Sequence, residues 1–159
     1  TCLRAEAGLA SLPTRVHELM VAYLGYAPDW AFCVENALSG AGLARLHLAA
    51  SGVELADGRA VSEAAEAGDV SAQRSLDVFA QMLATMVQDL RLHYMPAQGL
   101  YLAGSVMRSV LQGPSRHIFV QGLAGQPTEK SVLPPVPVAL ITRDEAALLG
   151  CLAYARAMV

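Results

Sequence analysis

The stretch "CVENALSGAGLARL", residues 33 to 46, places one carboxylate ahead of a glycine-containing break in an apolar helical pattern. An ionised carboxylate accepts several hydrogen bonds, so Glu35 suits the paired hydroxyls of a polyol. The break at Ser39-Gly40-Ala41-Gly42 would let a small ligand approach the backbone. The same residues also fit a turn between two packed helices, with Glu35 favoured in a first turn by the helix dipole. The pattern leaves both interpretations open.

A second candidate site is the junction Leu102-Ala103-Gly104-Ser105, between a short apolar run and a helical pattern. Free N–H groups at the start of a helix that follows a strand favour anions such as nucleotides. Tight strand-to-helix turns also use glycine for conformational reasons alone. The six-residue glycine fingerprint of a dinucleotide fold is not present here, so Gly104 and Ser105 form a weak motif by themselves.

The segment "AEAGL" offers one more carboxylate, Glu6, with Gly8 making room beside it. It is either a second polyol contact or a solvated loop carboxylate. The other reactive side chains are scattered. The spacing of the four histidines predicts no catalytic triad; they are His17, His47, His93 and His117. The spacing of the three cysteines predicts neither a zinc site nor a disulfide framework; they are Cys2, Cys33 and Cys151.

The elements that must position these residues are mostly helical. A long apolar stripe predicts one helix between an N-cap at Asp69 and Pro96. Apolar runs at 99–104 and 136–141 read as buried strands, and the helices between them imply parallel pairing. A capping box at Thr142 to Glu145 would open the last helix. Further helices are predicted over 14–24, 33–38, 43–50, 61–67, 105–111 and 116–123, with a polar connector at 54–59 and a proline-rich loop at 126–137.

Length and composition favour one domain spanning residues 1–159. Hydrophobic residues make up 54% of the chain and charged residues 16%, which argues against disorder. Lys and Arg are too few and dispersed to track nucleic acid, and no apolar run is long enough to span a membrane. We expect a cytoplasmic protein with reduced thiols.

Three segments together resemble the bacterial glucokinase family. "ENALSGAGLARL" looks like that family's E-x-x-L-S-G-x-G-L segment, "GLYLAGSVMRS" resembles its strand and adenosine-side turn, and "ITRDEAALLGCLAYA" is similar to its final strand and helix. The resemblance implies an α/β fold: the C-terminal lobe of an actin-like ATPase (ribonuclease H-like) fold, helix-rich, with a small, mostly parallel sheet. It also implies a kinase that transfers a phosphoryl group from ATP with Mg²⁺ to a hexose, the family's substrate being glucose.

By the same resemblance Glu35 and Glu6 contact sugar hydroxyls, and Gly104 and Ser105 face the nucleotide. Two departures stand out. Leu9 occupies the position of a sugar-binding His in the family's E-G-G-H motif, and Ser105 replaces the second glycine of a Gly-Gly pair. Leucine can neither donate nor accept a hydrogen bond, which weakens the expectation of tight glucose binding.

The family's D-x-G-G-T-like phosphate loop and its Asn-Asp pair, in which Asp is the catalytic base, do not occur in these 159 residues. The expectation is therefore a C-terminal lobe without its N-terminal lobe, with little turnover alone. The alternatives are a non-catalytic sugar- or nucleotide-responsive or dimerisation module, and a scaffold that shares only the fold. The apolar composition fits either a homodimer interface or a surface between lobes.

Overall fold

The computed structural model describes residues 7–124 and 136–158. Within them the chain is rich in helix and carries one small sheet. The elements, in chain order, are a 3-10 helix η1 (Ala7–Leu9), α1 (Thr14–Leu24), α2 (Val34–Ala37), α3 (Gly40–Ser51), α4 (Gly58–Glu66), α5 (Val70–Tyr94), β1 (Leu100–Leu102), α6 (Ser105–Gln112), α7 (Arg116–Ala124), β2 (Val138–Leu140) and α8 (Ala146–Ala157).

Helix α5 is the centre of the fold, as its apolar stripe predicts. It contacts α1, α3, α4 and α7, and its side chains Phe79 and Met82 are completely buried. Helix α7 approaches closely because Gly122 has no side chain: a Cβ there would lie 2.7 Å from the Cβ of Ala84. The Gln88 side chain crosses the same contact and donates to the Gly122 carbonyl at 2.7 Å.

Side chains cap the starts of α3, α4 and α5. Asp69 accepts from the backbone N–H groups of Ser71 and Ala72, which confirms the predicted cap of α5. Asp57 accepts from the N–H of Ala60 at 2.9 Å. Helix α4 therefore begins at Gly58, inside the stretch predicted to be a polar connector.

The two strands pair in parallel, as predicted, with Tyr101 opposite Ala139. The prediction that both strands are buried is wrong. Leu100 and Leu102 pack against the core, but Tyr101 between them is 66% exposed. A strand's side chains alternate between faces, and in this two-stranded sheet the second face remains uncovered.

The final helix departs from its predicted start. Helix α8 begins at Ala146, and its N-cap residue Glu145 makes no side-chain capping bond, so the capping box from Thr142 does not form. Asp144 instead pairs with Arg108 of α6. None of the residues of α8 is buried, although its sequence is strongly apolar.

Of the predicted loop at 126–137, residues 126–135 lie outside the described residues. Among the helices that the structure describes, none is both long and apolar enough to cross a membrane.

Candidate functional site

Glu35 lies in the first turn of the short helix α2 and is exposed. In residues 7–124 and 136–158, no hydrogen bond or ion pair occupies its carboxylate. Its neighbour Asn36 is held firmly, because its amide donates to the Trp30 carbonyl at 2.9 Å and its side-chain oxygen accepts from the Cys33 thiol at 3.0 Å. The helix is therefore anchored while the Glu35 carboxylate is left available to a ligand.

The segment before α1 lies against this carboxylate. A Cβ built on Gly8 would sit 3.5 Å from the Cβ of Glu35 and 3.8 Å from its Oε2. Backbone pairing fixes the arrangement, since the N–H of Val34 donates to the Ala10 carbonyl at 3.0 Å. The sequence predicted that Gly8 makes room beside Glu6, and that pairing is not tested; the structure shows Gly8 lying against Glu35. Glu6 lies outside the described residues, so its role stays a prediction.

The glycine break after Glu35 is a joint between two helices. Ser39 caps α3 by accepting from the N–H of Gly42 at 3.1 Å. A Cβ on Gly42 would lie 2.5 Å from the Ala37 carbonyl oxygen, a distance that only glycine permits. Of the two interpretations of this sequence, the tight turn between packed helices accounts for Gly42.

Gly40 brings the α2–α3 joint into contact with two other helix starts. A Cβ on Gly40 would lie 3.1 Å from the Cγ2 of Val106, in the first turn of α6. A Cβ on Gly58, at the start of α4, would lie 2.9 Å from the Gly40 carbonyl oxygen. The segment that carries Glu35 is thus joined, through Gly40 and Val106, to the helix that begins at Ser105.

The turn at Gly104 and Ser105 is open to solvent. Gly104 has φ 113° and ψ 157°, a conformation that strongly favours glycine, and its missing side chain would meet nothing within 4 Å. The backbone conformation, not close packing, therefore requires glycine at position 104. Both Gly104 and Ser105 are exposed, so a ligand can reach the backbone at this turn.

A groove of about 400 Å³ continues from Ser105 between α4 and α6. It is lined on one side by Arg59 and Glu66 and on the other by Ser105 and Arg108. The Arg108 side chain is 20% exposed, and its guanidinium pairs with Asp144. Sequence reasoning missed this groove, since residues far apart in the chain form its two walls.

The remaining candidate groups have structural roles or stand apart. His47 is completely buried, with Nδ1 3.2 Å from the Ser75 hydroxyl and Nε2 3.3 Å from the Ser51 hydroxyl. Over the part of the chain that the structure describes, no three His, Cys, Asp or Glu side chains cluster as metal ligands.

Comparison with known proteins supplies the family. The glucokinase family model matches residues 2–158. A glucokinase-like protein of Xylella fastidiosa is 30% identical over 160 residues, covering 93% of this chain and 46% of the relative. The glucokinase of Cupriavidus metallidurans is 31% identical over 123 residues, covering 73% of this chain and 37% of the relative.

The crystal structure of a glucokinase from an Antarctic psychrotroph superposes with a TM-score of 0.74 at 26% sequence identity. The match covers 96% of this chain and 49% of that one, so the chain spans about half the length of the relatives it matches. This similarity gives the chain the helix-rich α/β architecture of the actin-like ATPase fold, as the sequence resemblance implied. The chain belongs to the glucokinase family.

Proposed function

We propose that this chain is the C-terminal lobe of a two-lobed hexose kinase that phosphorylates glucose from MgATP. The carrying observation is the contact between Gly40 and Val106. It joins the segment of Glu35, whose carboxylate bonds to none of the described residues, to the open turn at Gly104 and Ser105. A kinase must hold its acceptor and its donor close together, because positioning supplies much of the acceleration of phosphoryl transfer. The family match supports a hexose kinase.

In this proposal Glu35 accepts hydrogen bonds from sugar hydroxyls, and Glu6 gives a second such contact. Gly104 and Ser105 lie against the adenosine side of the nucleotide. Mg²⁺ is proposed to arrive on the ATP phosphates, where it commonly binds. The chain's contribution to chemistry is to orient both substrates.

The reaction itself needs groups beyond these. The sugar 6-hydroxyl oxygen forms a bond to the γ-phosphorus, the bond from that phosphorus to the β,γ-bridging oxygen breaks, and the hydroxyl proton passes to a base. We propose that this base and a phosphate loop lie in the half of the relatives that the chain does not match, so these 159 residues alone turn over little or no hexose.

The proposal is tested by measuring glucose binding and phosphorylation for the protein from its complete reading frame and for this polypeptide. Glu35→Gln should weaken glucose binding about tenfold or more, because hydrogen bonds to a charged group are lost. Glu18→Gln is the matched control, since Glu18 is also exposed but lies on α1 beside the groove between α1 and α7.

Two results separate the rival functions. If the complete protein phosphorylates no hexose, or Glu35→Gln binds glucose as tightly as the unchanged protein, the kinase assignment of this site is wrong. Binding of sugar or nucleotide without any phosphorylation would identify a non-catalytic responsive module instead.

A further inference from the structure

One face of α6 forms a wall of the groove that begins at Ser105. The side chains on this wall are three and four residues apart, as the residues of one helix face are; they are Ser105, Arg108, Ser109 and Gln112. Arg59 and Glu66 of α4 line the opposite wall. The volume of about 400 Å³ is in the range of sites that hold small organic ligands.

A carboxylate from a distant segment holds the Arg108 guanidinium at this wall. Arg108 Nη2 donates to Asp144 Oδ1, 36 positions further along the chain, in the turn before α8. The Asp144 side chain is 79% exposed. An ion pair with so exposed a partner adds little to folding stability. Its main consequence is that the guanidinium keeps one orientation.

Arg59 repeats this arrangement on the opposite wall. Its Nε lies 2.8 Å from Glu63 Oε1, one turn further along α4. Each wall therefore carries an arginine whose guanidinium is bonded to a carboxylate. The described residues that line the groove include no aromatic side chain. A flat aromatic ligand would lie against guanidinium planes here, and guanidinium groups stack well on aromatic faces.

The charges of the groove favour a nucleotide base over its phosphates. Asp144 and Glu63 balance the two arginines, and Glu66 adds a further negative charge. A guanidinium that is bonded to one carboxylate still has its flat face and further N–H groups for a neutral ligand. The Gln112 amide on the same wall can both donate to and accept from the edge of a base.

We infer that this groove takes the purine base of the nucleotide and that Asp144 is a positioning residue, which holds the Arg108 guanidinium against that base. The inference rests on the proposed function, which assigns the nucleotide to Gly104 and Ser105. It gives the turn before α8 a role in binding the phosphoryl donor.

The test uses the protein from its complete reading frame, with kcat and the KM values for ATP and glucose measured separately. Asp144→Asn should raise the KM for ATP about three- to tenfold, because the guanidinium loses its fixed orientation, and should leave the KM for glucose unchanged. Asp144→Glu keeps a carboxylate and should restore most of the loss. Glu145→Gln is the matched control, since Glu145 is exposed and makes no side-chain capping bond.

Two further measurements show whether Asp144 acts through Arg108 and on the base. Arg108→Met removes the guanidinium, and in that background Asp144→Asn should raise the KM for ATP no further. By calorimetry, ATP should bind more tightly than CTP, because a purine covers more of the guanidinium plane than a pyrimidine does. Asp144→Asn should reduce that preference.

The outcomes distinguish this inference from the function on which it rests. If Asp144→Asn leaves the KM for ATP unchanged, raises the KM for glucose equally, or adds its full effect to that of Arg108→Met, Asp144 does not position Arg108, while the kinase assignment stands. If ATP and CTP bind equally, the base lies elsewhere. If the complete protein binds no nucleotide, both proposals are overturned. Far-ultraviolet circular dichroism checks that the variants fold, as expected for the exposed Asp144.

Discussion

At the scale of single residues, the acidic side chains differ in whether backbone N–H groups already bond to their carboxylates. Asp57 and Asp69 accept backbone hydrogen bonds at the starts of α4 and α5. Glu35 lies instead within the first turn of α2, where none of the described groups bonds to its carboxylate. This difference makes Glu35 the candidate for ligand binding.

Asp69 should make stability depend on pH. Hydrogen bonds from the Ser71 hydroxyl, followed by that from the Ala72 N–H, lower the pKa of Asp69 below its ordinary value. A carboxyl group with a depressed folded-state pKa contributes stability above its unfolded pKa of about 3.9 and loses it as pH falls towards the folded pKa. Asp69→Ala should therefore lower the free energy of unfolding at pH 7.

This effect should shrink between about pH 5 and pH 3 as the unfolded and then the folded carboxyl takes up its proton. Urea unfolding of both proteins at several pH values measures it. Asp69→Asn is the control, because asparagine also caps helices but does not titrate. An Asp69→Ala effect that is constant over this range would show that the charge of the cap is irrelevant.

At the scale of elements, the close joint between α2 and α3 depends on Gly42. A Cβ there would overlap the Ala37 carbonyl oxygen at 2.5 Å, and backbone has little freedom to retreat. Gly42→Ala should lower the free energy of unfolding by about 1–3 kcal/mol. Gly150→Ala in α8 is the control: nothing lies within 4 Å of its added Cβ, so it should be neutral or stabilise by up to about 1 kcal/mol. If the two variants changed the free energy of unfolding in urea equally, the close contact at Gly42 would not explain the loss.

The contact among α1, α3 and α5 includes a buried hydroxyl network around His47. The Ser75 hydroxyl donates to the Ser71 carbonyl and lies 3.2 Å from both His47 Nδ1 and the Tyr23 hydroxyl. Ser75→Ala would leave a buried imidazole nitrogen without a partner and should cost about 1–3 kcal/mol of unfolding free energy.

Ser109→Ala provides the comparison for Ser75→Ala. The Ser109 hydroxyl also donates to a carbonyl four residues earlier, that of Ser105, but at an exposed position. Its replacement should change the unfolding free energy by no more than about 0.5 kcal/mol. Similar losses for the two variants would mean that the histidine contact adds nothing.

At the scale of the whole molecule, apolar surface is distributed unevenly. The core lies around α5, whereas α8 is exposed along its length; Leu148 and Tyr154 are 73% and 70% exposed. A helix that is apolar on all sides ordinarily has a covering partner. This fits the proposal of a second lobe, and it also leaves the homodimer as a prediction.

A pair of leucine truncations tests this distribution. Leu46→Ala, at a completely buried site in α3, should lower the unfolding free energy of this polypeptide by about 2–5 kcal/mol. Leu148→Ala should change it by no more than about 0.5 kcal/mol. A large, concentration-dependent loss for Leu148→Ala would show that a second copy of the chain covers α8.

Local sequence determined most of the helices, because an apolar stripe and its caps are properties of neighbouring residues. The predicted helix 14–24 matches α1, and the Asp69 cap of α5 is confirmed. The three segments that resemble the glucokinase family also identified the family correctly. By contrast, the start of α8 was predicted wrongly: the capping box does not form, and Asp144 pairs with Arg108, a residue 36 positions away.

Only the tertiary structure determined which segments distant in the chain lie in contact. Sequence marked Glu35, Gly8 and the turn at Gly104 separately, but the contact of Gly8 with Glu35 and that of Gly40 with Val106 appear only in the fold. The exposure of Tyr101 and of α8 is of the same kind. Burial depends on which surfaces pack together in the folded chain. A pattern of neighbouring residues does not determine that packing.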